Sequence, residues 1–429
     1  MEPHASGVIS EVNALESEDY QAVPESEKGE LTVLGEEMDR VYMDKLRTAL
    51  LRPDLLEGRK AKVVYTNLHG TGGIIIVPML RELGFEVITV PEQDGGDGRF
   101  PTVASPNPEN ASALAKGIEL AEEVGADAVI ATDPDCDRMG VAVRNGEGEM
   151  ELLTGNQIGS LLGWYRIKTM FELGWLTESN RSRAVLIKTL VTTELQRVVA
   201  EKYGIGVVDT LTGFKFIGEK LKKYEDAIPA DKKGDYRSLT EEESRKLRLE
   251  YSKFFVFGGE ESYGYLGSDF VRDKDGNAAA VMFAELAAFA MSEGTTIAGL
   301  RDQVWEEYGV FLEGGQSIVM EGGEGARKIA ALVESYSVDP PKEVDGSPAM
   351  GVKDYAKGGF YDQEGDELPE AAMLFVDLED GRRFAVRPSG TEPKIKYYLF
   401  GKGSDRDKVQ ASLDSLWASL EKDAYERMA

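Results

Sequence analysis

Short apolar, β-branched runs recur along this chain, each followed by a glycine-rich or charged loop and then a helical pattern, and this alternation restricts its fold more than any other feature. The run 62–68, KVVYTNL, passes through Gly70-Thr71-Gly72-Gly73 into a helix predicted to reach Leu83. A strand at 85–90, a helix at 109–124 and a strand at 126–132 follow. The pattern resumes with a strand at 183–190, a helix at 193–203, a strand at 205–208, a helix at 218–224, a strand at 253–257 and a long apolar helix at 278–292. Strands and helices alternating at this spacing are βαβ units of a mostly parallel sheet. Beyond Tyr308 the style changes: a strand at 315–320, a helix at 326–335, two or three strands between 343 and 386 with a turn at Asp380-Gly381, a strand at 394–400 and a helix at 405–422. The expected fold class is α/β, with two consecutive α/β/α mixed-sheet domains at 34–175 and 176–308, then a smaller α+β C-terminal domain at 309–429. A total of 429 residues agrees, because a domain commonly takes about 150.

Composition narrows the partners. With 77 Asp and Glu against 49 Lys and Arg, the net charge of −28 opposes a phosphate backbone or an anionic bilayer, so neither nucleic acid nor membrane is expected as a partner. One cysteine, Cys136, cannot close an internal disulfide, and two histidines leave little material for zinc, which fits a reducing, cytoplasmic setting. The first residues carry neither a basic nor an apolar signal region. The apolar stretch 278–291 is too short to span a bilayer and holds Glu285. Residues 231–250 are dense in charge without a strong apolar stripe and read as a solvated surface insertion with some helix.

Three loops could carry chemistry. Asp133-Pro134-Asp135-Cys136-Asp137-Arg138 follows the strand VIAT at its carboxyl end, the edge where open α/β sheets bind ligands. Three carboxylates at alternate positions suit one hard cation, and Mg²⁺ is the natural occupant. An EF-hand fails, since Arg138 stands where its glycine belongs and Arg144 where its bidentate glutamate belongs. Read alone, the loop fits an acidic turn capping backbone groups equally well. Gly258-Gly259-Glu260-Glu261-Ser262-Tyr263-Gly264 offers acceptors and a hydroxyl suited to sugar hydroxyls, although a strand-end turn with a capping glutamate explains it as simply. Arg272-Asp273-Lys274-Asp275-Gly276 adds cations at the same sheet end. Arg387-Pro388-Ser389-Gly390-Thr391-Glu392-Pro393 joins a guanidinium, hydroxyls and loop N–H groups, a set suited to a phosphate dianion, or else an ordinary hairpin loop. Gly70-Thr71-Gly72-Gly73 matches neither nucleotide fingerprint and reads as a strand-to-helix turn, His69 as structural, and Ser105 as a helix-entry residue.

In this order and at these strand ends, DPDCDR, GGEESYGYL and RPSGTEP resemble the α-D-phosphohexomutases of the phosphoglucomutase/phosphomannomutase type, with shorter echoes in VYTNLHGTGG, FPTVASPNPE, LIKTLVTTEL, TGFKFIGE and VRDKDG. The likeness runs from about residue 34 to 400. It implies Asp133, Asp135 and Asp137 as Mg²⁺ ligands, and Arg138 beside the transferring phosphoryl group. It implies Lys274 as a phosphate contact or proton-transfer group, and Thr212, Gly213, Lys215, Glu260 and Ser262 along the sugar. Arg387, Ser389, Gly390 and Thr391 would hold the non-reacting phosphate. The implied reaction moves a phosphoryl group between C1 and C6 of a hexose phosphate by way of a phosphoserine, with a sugar bisphosphate as activator.

Two departures accompany the likeness. Cys136 replaces the family's usual Gly or Ala, and no T-A-S-H-N-P loop, which carries the phosphoserine, occurs in the 429 residues. The expectation is therefore a chain lacking the N-terminal catalytic-serine domain, with residues 1–33 its remnant or a disordered lead, without turnover of its own unless a separately encoded serine-bearing domain is supplied. A pentose phosphate as substrate, synthesis of a sugar bisphosphate, and a non-catalytic sugar-phosphate-binding role remain open beside it.

Overall fold

A computed structural model describes residues 4–15, 22–57, 61–389 and 394–428. Residues 1–41 and 42–429 form separate units. In the first, α1 (His4–Ala14) is a helix with no buried residue, consistent with a segment that lacks an apolar period; α2 (Glu36–Arg47) begins in the first unit and ends in the second.

In the second unit, apolar β1 (Lys62–Thr66) leads through the glycine loop to α3 (Gly73–Glu82) and pairs in parallel with β2 (Glu86–Thr89). After α4 (Ala111–Val124), ended by Gly125 at φ 64°, the fully buried β3 (Ala128–Thr132) pairs with the other edge of β1. Covered on both faces, β3 is continuously apolar, as a central parallel strand must be. β4 (Met139–Arg144) and β5 (Met150–Leu153) extend the sheet antiparallel, in the order β2-β1-β3-β4-β5.

α5 (Gly155–Glu172) starts at a capping box, in which Gln157 N–H donates to Thr154 Oγ1 and Thr154 N–H donates back to Gln157 Oε1. It packs against the second sheet, built from β6 (Ala184–Thr189), β7 (Gly206–Thr210), β8 (Phe254–Gly259) and β9 (Tyr265–Leu266) in the order β7-β6-β8-β9. α6 (Leu195–Lys202), α7 (Phe214–Asp226), α8 (Ala230–Lys233) and α9 (Glu241–Tyr251) surround it. α10 (Gly276–Ser292) and α11 (Ile297–Tyr308) follow, α10 packing against α3 and β9 together, so the first two sheets share a helix. The third sheet is antiparallel, in the order β10-β15-β14-β13-β12-β11. Its strands are β10 (Val310–Val319), β11 (Glu343–Val344), β12 (Ser347–Asp354), β13 (Leu374–Leu378), β14 (Arg383–Pro388) and β15 (Lys394–Gly403). α12 (Gly322–Val338) and α13 (Arg406–Met428) cover it. One apolar core runs through all three sheets, with Ile130, Phe257 and Leu399 in the same cluster.

The α/β architecture expected from the alternation is present. β4, β5, α5 and α11 are additions to that reading. α5 is buried around nearly its whole circumference, so it shows no one-sided apolar stripe. Residues 231–250 differ from the solvated insertion expected: Tyr236 and Arg248 are buried, and the Arg248 guanidinium donates to Tyr236 Oη (2.7 Å) and Asp269 Oδ2 (2.5 Å). Their inward face is charged, so hydropathy could not reveal it. No helix among the described residues is long and apolar enough to cross a membrane.

Candidate functional site: an acidic loop between two sheets

The Asp133–Arg138 loop turns the chain from β3 into β4. Asp133 Oδ1 accepts the N–H groups of Asp137 (3.1 Å) and Arg138 (3.0 Å), closing the turn on itself. Cys136 stands at φ 57°, in the left-handed region that favours glycine, which is a physical reason for a small residue there. Burial pushes its thiol up to about 12, so no thiolate is available for chemistry. The glycine loop holds the turn from behind: Thr71 N–H and Oγ1 both donate to Pro134 O (2.9 and 3.1 Å). A Cβ on Gly70 would overlap Pro134. His69 is buried with Nε2 2.8 Å from Thr102 Oγ1, as a structural histidine would be. Ser105, read as a helix-entry residue, lies ahead of the helix, whose N-cap is Asn110; the intervening turn forms instead around Asn107 Oδ1, which accepts Glu109 N–H (2.9 Å).

Asp133, Asp135 and Asp137 each present a carboxylate oxygen within 4.8 Å of the others. Burial and the neighbouring charges of Asp137 and Asp135 push Asp133 up to about 7. Asp137 Oδ1 is buried and makes no hydrogen bond among the described residues. An oxygen-only donor set, crowded negative charge and a buried carboxylate oxygen with no hydrogen bond among the described residues, 3.5 Å from Arg138 Nε, fit a hard divalent cation such as Mg²⁺. Two cations reach the loop. Arg138 Nη1 donates to Glu109 Oε1 (3.2 Å) while its Nε lies 3.4 Å from Asp133 Oδ2, and Lys274 Nζ lies 2.8 Å from Asp137 Oδ2. Burial opposes the Lys274 charge, but Asp137, Glu260 and Asp273 outweigh it and hold the ammonium above its usual range.

The second sheet is tied to this loop through backbone. Gly276 N–H donates to Cys136 O (2.9 Å) and Met139 N–H to Tyr263 O (3.0 Å), placing the segment that carries Lys274 and the loop that carries Glu260 against the aspartate turn. Asp275 caps α10 and accepts the Tyr42 hydroxyl (2.6 Å). Glu260 is buried, and its Oε1 accepts Gly213 N–H (2.9 Å) just before α7. Thr212 and Ser262 are half-buried nearby in sequence to these two, whereas Lys215 is exposed with its ammonium over the Phe216 ring.

Arg387, next to last in β14, stands opposite Lys396 and hydrogen-bonds the Tyr398 side chain; Ser389 N–H donates to Lys394 O (2.8 Å). Gly390 and Thr391 lie outside the described residues. A cleft of about 410 Å³ receives Glu109 from the first sheet's loops, Ser262 and Tyr263 from the second, and Gln316, Lys394 and Tyr398 from the third. The structure thus brings the aspartates, Arg138 and Lys274 together beside Glu260, and Ser262 faces residues that follow the phosphate-suited loop. The aspartates and Arg387 do not line that cleft. Sequence reasoning missed Glu109, the carboxylate partner of Arg138. It also missed Glu261, which accepts from Thr189 Oγ1 (3.2 Å) and which burial, with Glu260 beside it, pushes up to about 7. Glu109 closes the FPTVASPNPE stretch and Glu261 stands beside Glu260, so both lay in motifs already noted although neither was singled out.

Fold and site together define an α/β protein that gathers an oxygen-only acidic turn and separately placed cations at the meeting of its sheets. The chain belongs to the phosphoglucomutase/phosphomannomutase family: the family's α/β/α domain II matches residues 40–146, its α/β/α domain III 154–308 and its C-terminal domain 327–412. It is 32% identical over 361 residues to a phosphoglucomutase of Staphylococcus aureus (strain MRSA252), covering 83% of this chain but only 59% of that protein. It is 31% identical over 429 residues to a Haemophilus influenzae protein named "Probable phosphomannomutase", covering 99% of this chain and 76% of that one. The fold is shared with the open form of pp63/parafusin (phosphoglucomutase) from Paramecium, at TM-score 0.60 and 18% identity over 91% of this chain and 62% of that one. A phosphoglucomutase/phosphomannomutase family protein of Burkholderia thailandensis shares it at TM-score 0.56 and 15% identity, over 90% and 64%.

Proposed function

We propose that this chain supplies the metal, sugar and phosphate loops of a Mg²⁺-dependent phosphohexomutase that moves a phosphoryl group between C1 and C6 of a hexose phosphate, the carrier serine lying outside these 429 residues. The observation that carries the reading is the aspartate triad with Lys274 on Asp137 and Arg138 on Asp133, on the side where the Glu260 loop is anchored. Asp133, Asp135 and Asp137 would hold Mg²⁺, which when bound neutralises charge on phosphoryl oxygens. Arg138 and Lys274 then face the transferring group, where placed positive charge stabilises the charge that develops in phosphoryl transfer. Buried Glu260 and half-buried Ser262 offer an acceptor and a hydroxyl to the sugar, fixed by the Gly213 N–H and by backbone ties to the aspartate turn. Arg387, Ser389, Gly390 and Thr391 would grip the phosphate that does not react, so a bisphosphate reorienting between its two ends meets the same cations each time. A sugar bisphosphate activator and a cytoplasmic setting belong to the same proposal. Glucose 1-phosphate and glucose 1,6-bisphosphate given to the purified chain with Mg²⁺ should yield glucose 6-phosphate only after a serine-bearing first domain is added. Turnover by the 429 residues alone would refute the external serine, and continued absence of turnover with that domain would refute the mutase reading.

A further inference from the structure

On the side of the second sheet covered by α9, one helix face is charged where packing would ordinarily ask for apolar groups. Glu241, Ser244, Arg245 and Arg248, at the i, i+3, i+4 and i+7 positions of one stripe, all line a small cavity closed by Arg166, Trp175 and Ser268. The cavity has a volume of about 40 Å³. A single water needs roughly 10–15 Å³ on that measure, so the space exceeds one water and suits an anion of few atoms.

Charge and hydrogen bonding at this cavity do not balance. Its lining holds three guanidiniums, Arg166, Arg245 and Arg248, against two carboxylates, Glu241 and Asp269. Arg248 is paired with Asp269 at 2.5 Å. Arg166 is buried and donates to three carbonyls, Val256 O (3.1 Å), Ala49 O (2.7 Å) and Gly267 O (2.6 Å), none of which cancels its charge. The other carboxylate acting on it, Glu285, gives an oxygen to the N–H groups of Leu51 and Arg52. Arg245 Cζ lies over the Trp175 ring, 3.4 Å from its centre, and its Nη1 stands 3.6 Å from Glu241 Oε2. That Nη1 and Ser268 Oγ are both buried and both make no hydrogen bond among the described residues. A buried donor without a partner costs roughly 1–3 kcal/mol, more when it is charged, so two unmatched donors on one cavity with surplus positive charge describe a site for an acceptor bearing negative charge.

We infer that this cavity is a binding site for a small monovalent anion, held by Arg245 Nη1 and Ser268 Oγ and balancing the surplus guanidinium, which fastens α9 to the second sheet. The site is separate from the aspartate turn. It nevertheless bears on it, because Gly267, Ser268 and Asp269 belong to the same connection between β9 and α10 as Lys274. Charge selects the class: a monovalent anion such as chloride, bromide or nitrate matches the excess of one guanidinium over the carboxylates of the lining.

The test uses the purified 429-residue chain at constant ionic strength, with sodium chloride or bromide replacing sodium gluconate, and follows thermal unfolding. The wild type is expected to gain several degrees with saturating halide dependence, and Arg245→Gln and Ser268→Ala to lose most of that gain while keeping the wild-type circular dichroism in gluconate. Crystals grown in bromide should show an anomalous peak between Arg245 Nη1 and Ser268 Oγ. If Arg245→Gln does not fold, the Ser268→Ala comparison and the bromide peak decide. Halide gains equal in wild type and folded variant, a response to phosphate or sulfate with none to halide, or a cavity holding water alone in bromide would overturn the inference.

Discussion

Asp135 is the most exposed of the three loop carboxylates and makes none of the turn-closing hydrogen bonds that occupy Asp133, so its substitution separates metal binding from folding. Asp135→Asn is expected to weaken Mg²⁺ binding by about tenfold or more, read by calorimetry, with an unfolding midpoint near that of the wild type. An unchanged titration would remove Asp135 as a ligand. The acidic turn was legible in the sequence because its carboxylates stand at short, regular spacing directly after an apolar strand. Glu109 was not, because its role depends on Arg138 reaching it across the fold at 3.2 Å. Arg245 Nη1, buried without a hydrogen bond among the described residues, was equally invisible, since a donor left without an acceptor is a property of packing and not of residue type.

Elements position these residues through close backbone approach. The glycine loop ahead of α3 touches Pro134 so closely that Gly70→Ala must displace the aspartate turn or the loop. We expect a loss of about 1–3 kcal/mol in stability, as for other overpacked sites, together with weaker Mg²⁺ binding. A variant with wild-type unfolding and wild-type Mg²⁺ affinity would show that the contact does not constrain the turn. α10 is clamped near its middle by Glu285, whose carboxylate accepts the N–H groups of Leu51 and Arg52. Burial raises this group from 4.5 to about 7 in the folded chain, so the folded state holds the proton more tightly than the unfolded one. Its contribution to stability is therefore full below pH 4.5 and is lost as pH rises through about 7. Glu285→Gln keeps a carbonyl acceptor and should lose less stability than the wild type between those limits, measured as the difference in unfolding free energy at several pH values; parallel pH profiles would contradict it. The βαβ elements were legible because their strands are short, apolar and bounded by turns. α5 and α9 were not: the first is buried all round, and the second buries a charged face.

Across the whole second unit, three sheets share one apolar core and bring their loops toward one another from separate parts of the chain. The α/β class could be read from the alternation, whereas the backbone ties from Gly276 to Cys136 and from Met139 to Tyr263, which join two sheets at the acidic turn, could not. The account stands on these loops acting on one ligand. Its most direct test is calorimetry of glucose 1,6-bisphosphate with the purified chain, with and without Mg²⁺, repeated for Asp135→Asn and Arg387→Ala. We expect one binding event that strengthens with Mg²⁺ in the wild type, loses that Mg²⁺ dependence in Asp135→Asn, and weakens by roughly 1.5–3 kcal/mol in Arg387→Ala through the lost charge-assisted contact. Bisphosphate binding that is indifferent to Mg²⁺ and unchanged in both variants would contradict the account.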